Sequence, residues 1–160
     1  MATNTAAQMD DNSVLRWVTF FLAEEKYGIN VMQVQEVLRV SEIAPVPGAP
    51  EYVLGIINLR GNVVTVIDTR QRFGLGPKEL DDAARIVIVE SNNQVVGILV
   101  DSVAEVVDLR LSEIEAAPNV GQEENAKFIQ GVASQHDELL IIIDLNKLLT
   151  EEQWDEVLDR

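Results

Sequence analysis

The sequence contains no cysteine and only one histidine, His136. Without cysteine the chain can form no disulfide bond, offer no thiolate nucleophile and bind no metal through sulfur. A single histidine at a polar turn lacks neighbouring ligands that would complete a metal site, so we expect it to be solvated. These two shortages exclude cysteine-dependent enzymes and the common zinc sites.

Positive charge is also scarce, since 12 lysines and arginines face 27 acidic residues, for a formal net charge of −15. Such a charge repels phosphate backbones and anionic lipids, so we expect no nucleic-acid partner and no membrane insertion. No apolar run approaches the roughly 20 residues of a membrane span. Residues 1–13 lack the apolar segment of a secretion signal and are expected to be a disordered tail. We therefore expect a cytoplasmic protein.

The most informative stretch of the sequence runs from Gly55 to Phe73. Two β-branched runs flank a polar tip that contains Arg60 and the pair Gly61-Asn62, which is typical of a tight β-hairpin. Asp68 follows the second strand and stands three residues before a glutamine. It is therefore expected to cap a short helix over Thr69–Phe73.

The flanking sequence predicts further short strands separated by turns, and the apolar fraction of 47% is enough for one packed domain. Residues Met32–Leu38 fit either a helical face or a kinked strand, and we interpret them as strand, kink, strand. The proline-rich segment Ala44–Pro50 predicts an extended surface loop. At the other end, Thr150 begins a capping box that predicts a C-terminal helix over residues 151–160.

An internal repeat relates the two parts of the chain, about 14–80 and about 84–150. With an offset of 69 residues, Gly28 and Val34 correspond to Gly97 and Val103. With an offset of 76, Gly55 corresponds to Gly131. Parts of this size are marginally stable alone, so we expect two pseudo-symmetric halves of about five strands each that bury a shared seam.

A duplicated β-protein with two corresponding aspartates, Asp68 and Asp144, raises the alternative of an aspartic-protease dyad. That dyad requires Asp-Thr-Gly, whereas the chain has Asp68-Thr69-Arg70 and Asp144-Leu145-Asn146. Helix capping explains both aspartates. We found no other catalytic constellation and predict a non-enzymatic protein without a cofactor or a metal.

Five valines recur in corresponding places and are either core residues or the lining of a groove between the halves; composition leaves both interpretations open. They are Val31, Val34, Val100, Val103 and Val106.

Four ordered motifs resemble the CheW family of bacterial chemotaxis coupling proteins over roughly residues 14–150. They are NLRG with the strand and aspartate that follow it, Lys26–Leu38, Gln94–Val106 and Asp137–Leu149. The resemblance implies a mainly β fold of two pseudo-symmetric five-stranded SH3-like barrels with short helical turns. It also implies a scaffold that couples transmembrane chemoreceptors to the histidine kinase CheA in arrays at the membrane.

Matching motif positions implies a receptor-binding or groove-supporting set made of Val34, Glu36, Arg60, Gly97, Val103 and Val106. Gly55 and Gly61 fall in a central functional segment whose partner is unresolved. The resemblance implies two opposite contact surfaces for the kinase regulatory domain, one on the first half and one that includes Pro118, Asn119 and Val120.

We further expect Glu36 and Arg60 to form an ion pair that orients the hairpin tip, with Glu105 and His136 in the matching places. Three other interpretations stay open at this point. The chain could serve another chemosensory pathway that controls pili or a cyclase, it could be a fragment of a larger kinase or of an adaptor–receiver fusion, or, least favoured, it could be a protease-like enzyme.

Overall fold

The structure, a computed structural model, describes residues 13–76, 79–91, 93–116, 128–135 and 137–148. The predicted C-terminal helix over 151–160 lies outside the described residues, as do His136, the segment 118–120 and all but the last residue of the predicted N-terminal tail. Within the described parts the chain is mainly β, as expected.

Within the described ranges ten strands make up most of the fold: β1 (Val14–Leu22), β2 (Glu25–Asn30), β3 (Val34–Arg39), β4 (Val53–Leu59), β5 (Asn62–Asp68), β6 (Arg85–Ser91), β7 (Gln94–Val100), β8 (Ser102–Arg110), β9 (Ile129–Gln135) and β10 (Glu138–Ile143). The helical elements are short: α1 (Thr69–Arg72) and the 3-10 turns η1 (Val31–Gln33), η2 (Leu111–Glu113) and η3 (Leu145–Lys147). The predicted kink after β2 is η1, so strand, kink, strand is confirmed.

The strands form two five-stranded sheets. Sheet 1 has the order β8-β1-β2-β10-β9, and sheet 2 has the order β3-β6-β7-β5-β4. In sheet 2 the chain beyond β3 returns to the opposite edge, where Ala44 and Ile56 form an antiparallel bridge. Glu115 and Val132 form the corresponding bridge in sheet 1. Each sheet therefore curls back on itself.

The two sheets have the same internal order, which agrees with the predicted duplication. Gly28 on β2 and Gly97 on β7 lie at the centres of their sheets, and Gly55 on β4 and Gly131 on β9 lie on the corresponding edge strands. The sequence repeats and the sheets do not coincide, however. The first repeat contributes β1 and β2 to sheet 1 but β3, β4 and β5 to sheet 2, and the second repeat does the reverse. The chain crosses between the sheets after β2 and after β7.

Three apolar clusters hold the fold together. One lies inside sheet 1 around Trp17 and Ile142, and another lies inside sheet 2 around Ile86 and Ile88. The third and largest joins the sheets, and we call it the shared cluster. It contains residues of both sheets, among them Val18, Phe20, Tyr27, Val87, Val89 and Ile98. The predicted shared seam is thus a continuous core, and each central strand is buried on both faces.

The central hairpin forms as predicted, but its turn is shifted by one residue. Arg60 and Gly61 occupy the turn with φ of 53° and 88°, whereas Asn62 already belongs to β5. Positive φ at both central residues matches the right-handed twist of the flanking strands. The turn is closed by the Gly61 amide, which donates to Asn58 Oδ1 at 2.8 Å.

Candidate partner-binding site

The hairpin tip carries an ion pair to β3, the edge strand at the other end of sheet 2. Arg60 Nη1 donates to Glu36 Oε1 at 3.3 Å, and Arg60 Nη2 makes a second contact with Glu36 Oε2. The predicted pair is therefore present, with the arginine side chain 70% exposed and the glutamate 28% exposed. The hydrogen bond from Arg60 lowers the pKa of the Glu36 carboxyl, so the pair stays charged at neutral pH.

Val34 and Val103 occupy corresponding places on the edge strands β3 and β8. Both are partly buried and pack against the shared cluster. Val106 lies further along β8 and is 54% exposed. It pairs across strands with Val18, which belongs to the shared cluster, so both side chains lie on the same face of sheet 1.

The structure divides the five valines between the two interpretations. Val100 is fully buried and is a core residue, whereas Val106 is exposed beside the seam. Val31, Val34 and Val103 are intermediate and form the margin of the shared cluster. Neither interpretation therefore describes all five valines.

Val37 was not among the five valines considered for the groove, although the repeat pairs it with Val106. Val37 is 41% exposed and pairs across strands with Val87 of the shared cluster. Both edge strands thus present one exposed valine on the face that meets the seam. The offset of 69 residues that relates Val34 to Val103 also relates Val37 to Val106.

The predicted glycine positions have different structural roles. A Cβ on Gly97 would lie 2.8 Å from Ile86 Cγ2 inside sheet 2, and a Cβ on Gly55 would overlap the carbonyl oxygen of Ala44. These two glycines allow close packing within the sheet. Gly61 has open space around it, and its positive φ serves the hairpin turn.

The counterpart of Glu36 in sheet 1, Glu105, binds a lysine that the sequence did not point to. Glu105 Oε2 accepts from Lys26 Nζ at 2.7 Å, and the same ammonium lies 3.5 Å from Glu138 Oε1. The hydrogen bond to Glu105 is the main cause of the raised pKa of Lys26. The other expected residue, His136, lies outside the described residues, so its relation to Glu105 stays a prediction.

A cavity on sheet 2, beside the strands of the central hairpin, was not predicted from the sequence. Its volume is about 540 Å³, and its lining includes Ile43, Ala44, Ile56, Asn58 and Val63. A neighbouring cavity of about 480 Å³ extends to Leu38 and Leu59, which adjoin the Glu36–Arg60 pair in sequence. The two cavities share Glu42, Ile57 and Asn58 and together form a partly apolar concave surface on sheet 2.

The two candidate catalytic aspartates are both helix caps. Asp68 Oδ1 accepts from the Gln71 amide at 3.2 Å, and Asp144 Oδ1 accepts from the Asn146 amide at 3.0 Å. The capping interpretation is thus confirmed at both positions. Among the residues that the structure describes, no three acidic or histidine side chains are grouped so that they could hold a metal ion.

The same described ranges contain no helix that is long and apolar enough to cross a membrane.

Comparison with known proteins agrees with this geometry. Residues 16–153 match the family described as CheW-like domain. The chain is 36% identical over 137 residues to the chemotaxis protein CheW of Bacillus subtilis, covering 86% of this chain and 88% of the relative. It is 34% identical over 140 residues to the CheW protein of Treponema pallidum, covering 85% of this chain and 82% of the relative.

A solved structure extends the similarity to the fold. The crystal structure of the scaffolding protein TtCheW from Thermoanaerobacter tengcongensis superposes with a TM-score of 0.82 at 38% identity, covering 91% of this chain and 99% of that one. Family, fold and motif positions agree over nearly the whole chain, and the family consists of non-enzymatic adaptors. The chain belongs to the CheW family of chemotaxis scaffolding proteins.

Proposed function

We propose that this chain couples the cytoplasmic tips of transmembrane chemoreceptors to the regulatory domain of the histidine kinase CheA. In this role it is a cytoplasmic scaffold that is recruited to arrays at the membrane and catalyses no reaction. Family membership supports the scaffold role. The single structural observation that carries the proposal is the Glu36–Arg60 pair, whose glutamate lies on β3, the strand that also carries the seam valine Val34.

The proposed receptor face combines that charged pair with an apolar margin. Val34, Val103 and Val106 supply apolar contact, and Arg60 supplies a cation on a rigid hairpin tip. An amphipathic helix of a receptor tip can bury its apolar face against valines while an acidic side chain meets the arginine. Gly97 supports this face from inside sheet 2, because it lets Ile86 pack close to β7.

The proposed contacts with the kinase rest on the family resemblance alone. We assign one surface to the segment of Pro118, Asn119 and Val120, which lies outside the described residues, and the other to the first half of the chain. Gly55 and Gly61 shape the central hairpin, and their partner is left open. We also propose that each curled sheet is an SH3-like barrel and that residues 151–160 form a helix.

Cosedimentation with receptor-containing membranes, with and without purified kinase, tests the proposal. We expect the chain to enter the pellet with the receptor membranes and to increase the amount of kinase recovered there. Membranes without receptor are the control and should retain neither protein. If the chain stays in the supernatant under all conditions while it is folded, the proposed coupling function is wrong.

A further inference from the structure

A nearly buried ion pair connects the two sheets on one side of the molecule. Arg70 Nε donates to Asp101 Oδ1 at 3.0 Å, and Arg70 Nη2 donates to Asp101 Oδ2 at 2.8 Å. The side chains are only 16% and 11% exposed. Two parallel hydrogen bonds between a guanidinium and a carboxylate fix both the distance and the orientation of the groups.

The pair lies where the chain passes from sheet 2 to sheet 1. Arg70 belongs to α1, which directly follows β5 of sheet 2, and Asp101 is the residue at which the chain crosses from β7 of sheet 2 to β8 of sheet 1. Arg70 Nη1 also donates to the carbonyl oxygen of Gly76, so the guanidinium is held on the side of sheet 2.

Asp101 is equally well attached to sheet 1. Its carboxylate accepts from the Ala23 amide at 2.8 Å, and its own amide donates to the Phe21 carbonyl at 3.0 Å. Ala23 lies in the turn between β1 and β2. One carboxylate therefore bonds to an arginine of sheet 2 and to a backbone turn of sheet 1 at the same time.

The other crossover has a different construction. The offsets of the repeat place Met32 opposite Asp101 and Asn146 opposite Arg70. Met32 is 85% exposed, and Asn146 accepts a hydrogen bond from the Ser91 hydroxyl. Methionine and asparagine cannot form a salt bridge. Only one of the two crossovers between the sheets therefore has an ion pair at these positions.

The crossover with the ion pair leads directly into the strand that carries two proposed receptor contacts. Val103 follows Asp101 by two residues and packs on the shared cluster, and Val106 is exposed further along β8. A small rotation of sheet 1 against sheet 2 would move both valines relative to Arg60, which belongs to sheet 2. The distance between the apolar and the charged parts of the proposed site thus depends on how the sheets are fixed.

We propose that Arg70 and Asp101 are positioning residues for receptor binding, which fix sheet 1 against sheet 2 so that β8 and the Arg60 tip engage one partner together. This inference rests on the proposed receptor-binding function and adds residues that do not themselves contact the receptor. Loss of the pair should widen the distribution of sheet orientations and weaken binding by about 2- to 30-fold, the usual range for coupling through a residue outside the site.

Distance measurement between the sheets tests the proposal. Because the sequence has no cysteine, Asp82→Cys just before β6 of sheet 2 and Ser134→Cys on sheet 1, both exposed, can carry spin labels without background. The distance between the two labels is measured in the full-length chain with the wild-type pair, with Arg70→Gln and with Asp101→Asn. Asparagine keeps the shape of aspartate and one oxygen acceptor but removes the charge. The matched control is Arg16→Gln, because Arg16 and Asp108 form an exposed ion pair within sheet 1.

We expect a broader distance distribution and weaker cosedimentation with receptor membranes for Arg70→Gln, a partial effect for Asp101→Asn, and no change for Arg16→Gln. Saturating receptor membranes should narrow the distribution again, because binding selects the competent orientation. If Arg70→Gln does not fold, Asp101→Asn carries the test.

Two outcomes would overturn the proposal. An unchanged distance distribution, with or without a loss of binding, would show that the pair does not orient the sheets. A broader distribution with unchanged binding would show that the orientation does not matter to the receptor. If the wild-type chain itself does not bind receptor membranes, the proposed function fails, and the distance distributions still report whether the pair orients the sheets.

Discussion

Glu36 and Glu105 occupy equivalent positions in the two sheets, but a cation from a different element binds each carboxylate. Glu36 pairs with Arg60 of the hairpin tip, whereas Glu105 pairs with Lys26 of β2. The Arg60 side chain is 70% exposed, and that of Lys26 is 12% exposed. The cation of the pair is thus exposed in sheet 2 and covered in sheet 1, whereas the glutamates show the reverse, with Glu36 28% and Glu105 55% exposed.

Reversal of the exposed pair should impair receptor binding without unfolding the protein. We expect the midpoint of thermal unfolding of Arg60→Glu to equal that of the wild type, because both side chains can be hydrated. Its affinity for receptor membranes should fall about tenfold or more. The double variant with Glu36→Arg should recover part of the affinity. Cosedimentation titrations measure both, with Arg16→Glu as the control for an exposed charge change away from the tip. Independent, additive defects in the double variant would show that the two residues act separately.

The Asp68 cap should contribute to stability and to nothing else. Asp68→Ala removes the acceptor for the Gln71 amide and should lower the free energy of unfolding by about 1 kcal/mol, whereas Asp68→Asn should be nearly neutral. Urea denaturation gives both values. Acid-dependent peptide cleavage that disappears in Asp68→Asn would contradict the adaptor interpretation.

Stability should depend on the charge of Lys26 in a defined pH range. The pKa of Lys26 is raised in the folded protein, chiefly by its hydrogen bond to Glu105. The stabilisation is therefore fully present below the unfolded value of about 10.4 and is lost as the pH rises through the folded pKa. The difference in unfolding free energy between wild type and Lys26→Met should shrink above about pH 10.4. A difference that stays constant through that range would show that the ammonium charge contributes nothing.

Two glycine substitutions should destabilise the protein for different reasons and by different amounts. Gly97→Ala places a methyl group 2.8 Å from Ile86 Cγ2 in the core of sheet 2, so we expect a loss of about 1–3 kcal/mol through overpacking. Gly61→Ala meets no neighbouring atom and carries only the strain of positive φ, about 1–2 kcal/mol. Chemical denaturation compares the two variants. If Gly97→Ala lowers the free energy of unfolding by the same amount in an Ile86→Ala background, which lacks Cγ2, as in the wild type, the close contact is not the cause.

Features with a local signal could be predicted from the sequence. The hairpin, the two aspartate caps and the kink at η1 each depend on residues within a few positions of one another. The repeat also gave the correspondence of Gly28 with Gly97, because the offset survives in the sequence. The turn was placed one residue too late, since Arg60 rather than Asn62 adopts positive φ.

The features that could not be predicted from the sequence depend on contacts between segments that are distant in the chain. The exchange of strands between the repeats depends on long-range pairing within each sheet, where β2 pairs in parallel with β10 and β5 with β7. Arg70 and Asp101 are 31 residues apart, and neither has a local pattern that identifies the other. The cavity beside Ile43 and Val63 similarly arises when the segment after β3 returns to β4.

The central claim, that this chain couples receptors to the kinase, is tested most directly by kinase autophosphorylation. The rate of phosphate incorporation into purified CheA is measured with receptor membranes, with and without this chain. We predict that stimulation requires the receptor, the kinase and the chain together, that Arg60→Glu abolishes most of it, and that Arg16→Glu does not. The same rate with and without the folded chain would contradict the account.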